Sequence, residues 1–188
     1  MQRLLCCLVL LSLASCESTP PPDPVQAQYG PTIMAKTNGH YTLVNRKLKV
    51  EIDEVTGSTS LAMLGSTAPA EPLVPKFEPL ADSNPVAGYV ESRDDETWQY
   101  FGDSKDGRLA WRLVYNLYYD GLNVTYIVQN KTAQPITGYI ALPTVKGVSI
   151  QPFNESQQFN QPGGLIRSDN LTINPGERKN FATRWTVR

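Results

Sequence analysis

Two consecutive segments decide the fold class. The first is Leu109-Ala110-Trp111-Arg112-Leu113-Val114-Tyr115-Asn116-Leu117-Tyr118-Tyr119, and after Asp120-Gly121 the second runs Leu122-Asn123-Val124-Thr125-Tyr126-Ile127-Val128-Gln129. Side chains on a strand alternate between its two faces. The first segment therefore places Trp111, Leu113, Tyr115, Leu117 and Tyr119 on one face and Arg112, Val114, Asn116 and Tyr118 on the other. The second divides in the same way, Leu122, Val124, Tyr126 and Val128 against Asn123, Thr125, Ile127 and Gln129. Asp-Gly between two alternating runs is a tight-turn signal, so the pair reads as a long antiparallel hairpin.

The same period recurs outward from this hairpin. Lys47 to Asp53 alternates strictly, with Leu48, Val50 and Ile52 together, and Glu54-Val55-Thr56-Gly57 turns the chain into a returning strand over 58–64. Shorter strands are predicted at 88–92, 97–101, 136–142, 148–153, 165–167 and 171–173. Asn174-Pro175-Gly176-Glu177 is a turn, and 179–187 closes the chain with Phe181, Thr183, Trp185 and Val187 on one face. Residues 66–86 carry five prolines and read as a surface loop or edge-wrapping segment, since a central strand cannot hold them. Asn154 to Gly164 is polar and reads as a loop. Helical periodicity is almost absent and no internal repeat is present. The sum is an all-β antiparallel sandwich of roughly ten strands.

Composition narrows the partners. With 17 basic and 18 acidic residues the net charge is −1, and no basic stripe runs through the chain, so nucleic acid is not an expected partner. All three cysteines, Cys6, Cys7 and Cys16, fall within the first sixteen positions. The body therefore offers neither a disulfide framework nor a thiolate nucleophile or metal site.

The first fifteen residues join Arg3 to an apolar run over 4–13, too short to be a permanent membrane span. They end in Leu13-Ala14-Ser15-Cys16, which resembles the bacterial lipobox. The resemblance implies cleavage before Cys16, lipidation of its thiol and anchoring to membrane lipid by several acyl chains. An ordinary secretory signal with an incidental cysteine is the alternative. Glu17 lacks the aspartate that retains enterobacterial lipoproteins in the inner membrane, so the resemblance implies the outer membrane. Pro20-Pro21-Pro22-Asp23-Pro24 then reads as an extended spacer. The expected organisation is a signal peptide at 1–15, a lipidated tether at 16–35 and one β-sandwich at 36–188.

Two stretches resemble the galactose mutarotase-like sandwich of aldose 1-epimerases. One is Leu43-Val44-Asn45-Arg46-Lys47-Leu48-Lys49-Val50-Glu51-Ile52-Asp53 with Thr56-Gly57. The other is Asp120 to Thr132 with Asn174-Pro175-Gly176-Glu177 and the Trp185 strand. The resemblance implies a supersandwich-like architecture and sugar affinity. The catalytic histidines of those enzymes have no counterpart, because His40 is the single histidine of the chain.

His40 reads as a loop residue rather than a catalyst. Arg93-Asp94-Asp95-Glu96 is either a calcium cluster or a solvated loop, and Asp103-Ser104-Lys105-Asp106-Gly107 is a hairpin turn with a lysine where a calcium ligand would sit. The Asn-x-Ser/Thr sequons at Asn123, Asn130, Asn154 and Asn170 are chance features of an Asn/Thr-rich β protein if the chain is a bacterial lipoprotein. No nucleophile elbow, phosphate loop, dinucleotide fingerprint or zinc motif is present, so no catalytic residue, metal or cofactor is expected. The expected function is that of an envelope lipoprotein whose β domain binds a protein partner or, alternatively, a glycan through Trp98, Tyr100 or Tyr118.

Overall fold

The alternating segments become strands in the computed structural model, which describes residues 33–65, 71–94, 96–118, 120–153 and 165–187. The leader and tether to residue 32, Tyr119 and the 154–164 segment read as a loop lie outside the described residues. Among those described the chain is all β, with no helix. Fifteen strands are present: β1 (Ile33–Thr37), β2 (His40–Val44), β3 (Leu48–Asp53), β4 (Thr59–Met63), β5 (Glu71–Leu73), β6 (Lys76–Glu78), β7 (Pro85–Ser92), β8 (Thr97–Ser104), β9 (Leu109–Tyr118), β10 (Gly121–Asn130), β11 (Ile136–Pro143), β12 (Val148–Pro152), β13 (Leu165–Arg167), β14 (Leu171–Ile173) and β15 (Arg178–Val187).

They form three sheets. One is five-stranded in the order β1-β2-β3-β4-β5, and one is six-stranded in the order β12-β15-β10-β9-β8-β7. In the third, β11 pairs with β6, β13 and β14. Every pairing is antiparallel. A continuous core lies between the inner face of the six-stranded sheet and the two smaller sheets. It includes Trp98, Tyr100, Trp111, Tyr115, Phe181 and Trp185 from the large sheet, with Leu43, Val50, Ile52, Leu61, Phe77 and Ile140 from the smaller ones. Each large aromatic withdraws about 150–250 Å² from water, so this layer supplies the dominant favourable term.

Two expectations are corrected. The proline-rich stretch at 66–86 is not all loop, for it contributes β5, β6 and the start of β7. Two of its prolines lie where strands tolerate proline: Pro72 in β5, an edge strand, and Pro85 at the start of β7. The β9–β10 turn is also displaced from Asp120-Gly121. Tyr118 pairs with Gly121, so Gly121 is the first strand residue rather than a turn residue. Its glycine serves close approach, since a Cβ there would overlap the Tyr118 phenol and the Trp185 carbonyl oxygen. At the chain's start, β1 begins at Ile33, so the sheet takes in the last residues of the segment read as tether.

One buried amide joins the layers at this hairpin. Asn45, 3% exposed between β2 and β3, donates through Nδ2 to the carbonyl oxygens of Tyr118 (2.6 Å) and Gly121 (3.0 Å). Its Oδ1 accepts the backbone N–H groups of Lys47 (2.8 Å) and Leu48 (2.7 Å). A second contact between layers joins the hydroxyls of Thr59 and Tyr115.

Asn45→Ala removes all four bonds at once. Each group left unpaired in a buried place costs about 1–3 kcal/mol, so the variant is expected to lose on the order of 3 kcal/mol in urea unfolding. Asn45→Asp, which accepts but cannot donate to the two carbonyls, is expected to be no better. Unfolding midpoints equal to the parent's would show that the amide does not hold the layers together.

Candidate functional site

The inner face of the six-stranded sheet is occupied by the core, and the outer face is open. Strand register places its outward side chains in rungs. One rung runs Tyr89, Phe101, Arg112, Ile127 and Asn180 across β7, β8, β9, β10 and β15. The neighbouring rung on one side is Asp103, Ala110, Gln129 and Arg178. On the other side follow Glu91, Gln99, Val114, Thr125 and Ala182, and then Thr97, Asn116, Asn123, Arg184 and Gln151.

The first rung is a stacked row. The rings of Tyr89 and Phe101 lie 5.1 Å apart at 17°, and the Arg112 guanidinium sits 5.4 Å from the Phe101 centroid. Arg112 Nε donates to Gln99 Oε1 at 3.0 Å. A guanidinium held between an aromatic ring and an amide carbonyl is fixed before any ligand arrives. Beside it, Ala110 is small among large neighbours and leaves a hollow lined by Phe101, Ala110, Arg112, Ile127, Gln129 and Arg178. Arg178 is oriented in turn, its Nε donating to Gln129 Oε1 at 3.1 Å.

The far end of the face is built around Gly121, over which the Tyr118 ring lies. The Tyr118 hydroxyl and Asn123 Oδ1 are both buried atoms without a hydrogen-bond partner among the described residues. Burial raises the Tyr118 pKa, while the nearby Arg184 opposes that rise. Arg184 lies 5.1 Å from the Phe153 ring centroid. Tyr89 and Phe153, at opposite margins of the sheet, are 52% and 48% exposed.

The expected ligand residues separate accordingly. Trp98 and Tyr100 face inward and are buried at 5% and 0%, so neither can meet a ligand on the open face. Burial pushes the Tyr100 phenol up to about 12. Only Tyr118 of the three faces outward. On β8 the outward residues are Thr97, Gln99, Phe101 and Asp103, and in the run Trp98-Gln99-Tyr100-Phe101 aromatics fall on both faces. Pairing with β9 decides between the faces, because Trp98 lies opposite Tyr115 and Tyr100 opposite Leu113.

The remaining candidates are structural. His40, expected in a loop, instead opens strand β2, paired with Asp53, its Nδ1 3.8 Å from the Asp53 carboxylate. Asp94 accepts the backbone N–H groups of Glu96 and Thr97 and closes the β7–β8 connection. Asp106 accepts Ser104 Oγ and the Arg108 backbone within the β8–β9 hairpin. No group of histidine, cysteine and acidic side chains among the described residues is arranged to hold a metal ion.

No protein-family profile and no curated protein matches the chain. Among solved structures it is similar to one from Escherichia coli K12 named as a putative aldose 1-epimerase. The two are 11% identical, and the match covers 83% of this chain and 99% of that one at a TM-score of 0.49. That likeness transfers no site residue and no activity.

Two of the buried tyrosine hydroxyls predict opposite outcomes. Tyr118→Phe removes a hydroxyl without a partner and is expected to leave Tm unchanged or raise it. Tyr115→Phe strands the buried Thr59 hydroxyl and is expected to cost about 1–3 kcal/mol. Thermal unfolding of both variants checks this, and a larger loss for Tyr118→Phe would contradict the reading of its hydroxyl as unpartnered.

Proposed function

We propose that the chain is a bacterial envelope lipoprotein, anchored through Cys16, whose β domain binds glycan on the open face of its six-stranded sheet. The observation that carries the binding reading is the chemistry of that face. Asn116, Gln151 and Asn180 point outward from three strands, beside Gln99 and Gln129, whose amides orient Arg112 and Arg178, and between exposed aromatics at either margin. Amides both donate and accept, which matches the hydroxyls of a sugar, and an aromatic ring offers a surface to a sugar's apolar face.

The domain acts as a binding or accessory module rather than an enzyme. Of the carboxylates on the face, Asp103 is engaged by Lys131 at 2.7 Å and Glu91 lies on the edge strand β7. A protein partner on the same face is the second reading, favoured by the exposure of Tyr89 and Phe153.

The mature chain applied to a glycan array is expected to bind. Ala110→Trp, which fills the hollow, is expected to weaken that binding at least tenfold while leaving Tm within about 2 °C. Binding unaffected by Ala110→Trp and by Phe101→Ala would place the ligand elsewhere, and an array without binding alongside capture of one defined protein would favour the second reading.

The anchor is tested separately. Cys16→Ser is expected to leave the membrane fraction or to accumulate as unprocessed precursor. Normal processing with membrane retention would overturn the lipobox reading.

A further inference from the structure

Several cations of this protein pair with carboxylates, and others, Arg167 over the Tyr139 ring among them, form no ion pair among the described residues. Lys36, Lys49, Lys105, Lys131 and Lys179 each sit beside a carboxylate oxygen, at 2.5–3.9 Å. Arg108, in the β8–β9 turn, pairs with Asp106 at 2.6 Å. The three arginines of the open face differ. Arg112, Arg178 and Arg184 form no ion pair among the described residues. Their contacts are Gln99 and Phe101 for Arg112, Gln129 for Arg178, and Phe153 for Arg184.

The geometry of those contacts matters. Arg112 and Arg178 each use Nε on a neighbouring glutamine carbonyl, and both line the hollow over Ala110. Their terminal N–H groups remain for a ligand, and a guanidinium presents such donors as a planar fork suited to an oxyanion. Neutral orienting partners fix the side chain without cancelling its charge. The carboxylates nearby do little to offset it. Asp103 is paired with Lys131, Glu177 beside Arg178 is paired with Lys179, Glu91 lies on the edge strand, and Asp120 sits in the β9–β10 turn.

We infer that the ligand of the open face is an acidic saccharide, with one acid group seated over Ala110 between Arg112 and Arg178 and another reaching Arg184. The inference rests on the glycan reading above and names its charge class. Strand spacing and rise put the Cα atoms of Arg112 and Arg178 about 12 Å apart, and those of Arg178 and Arg184 about 20 Å apart. That span suits an oligomer carrying repeated acid groups rather than a monosaccharide. An acidic peptide would meet the same charges, but extended peptides add to sheet edges. The edges of this sheet are β7 and β12, whereas the arginines lie on β9 and β15.

The test compares oligogalacturonate with its fully methyl-esterified form, which has the same backbone without charge, using the full mature chain in titration calorimetry. The free acid is expected to bind at least tenfold more tightly at low salt, with the difference shrinking as salt is raised. Arg112→Gln with Arg178→Gln is expected to bring the acid down to the level of the ester. Arg112→Lys, which keeps the charge but loses the fork, is expected to retain part of the preference. Equal binding of acid and ester would overturn the inference and leave the glycan reading standing. Binding of neither would also overturn the inference, with the glycan array deciding the glycan reading separately. Poly-glutamate of matching length bound as tightly as the acid would overturn the saccharide assignment, as would inorganic phosphate competing at equal concentration.

Discussion

The register of the β9–β10 hairpin is the constraint on which the rest of the structure depends. A slip of one residue would turn Trp111, Leu113 and Tyr115 to water and Arg112 into the core. The Asn45 amide holds the closing pair of this hairpin from the opposite layer, grasping the carbonyls of Tyr118 and Gly121. It fixes the register and the docking of the five-stranded sheet through the same four hydrogen bonds. Few side chains other than asparagine could do so, because the site needs two donors and an acceptor on one short stem.

From that register the two faces of the large sheet acquire different chemistry. The inner residues are large and apolar and are almost wholly withdrawn from water. The outer ones mix arginines, amides and aromatics with small residues at two places. Ala110 opens the hollow beside Arg112, and Gly121 lets the Tyr118 ring lie across its neighbour strand. Elsewhere a glycine answers the core instead. Gly88 and Gly102 face the Tyr100 ring, and a Cβ at either would overlap it. Small residues thus shape the open face from one side and admit the largest core rings from the other.

Much of the fold was legible in the sequence. The strict alternation over 109–118, 122–128 and 48–53 assigned strands, faces and core residues that the structure bears out. The short strands β5 and β6 were not legible, because prolines in an edge strand and in a loop read alike. The turn Asn38-Gly39, with φ of 50° and 79°, carried the signal for the β1–β2 hairpin and for an earlier domain start than residue 36. The candidate site was legible only in part. Tyr118 belonged to an alternating strand and took its predicted face. Trp98 and Tyr100 belonged to a run with an aromatic, Phe101, at the opposite parity, and pairing with β9 places them inward and Phe101 outward. Arg112, Arg178 and Arg184 are scattered in sequence and meet on one face through strand order. Local pattern reading cannot supply that order.

The central claim is that the outer face of the six-stranded sheet, and not the smaller sheets or the edges, receives the ligand. Heteronuclear NMR of the isotopically labelled full chain, titrated with oligogalacturonate, reads this directly through the arginine side-chain and amide resonances. Shifts are expected at Phe101, Arg112, Gln129, Arg178 and Arg184, with Val50, Leu61 and the rest of the five-stranded sheet unmoved. Shifts centred on β1 to β5, or along the β7 or β12 edge with the arginine side chains unmoved, would contradict the central claim.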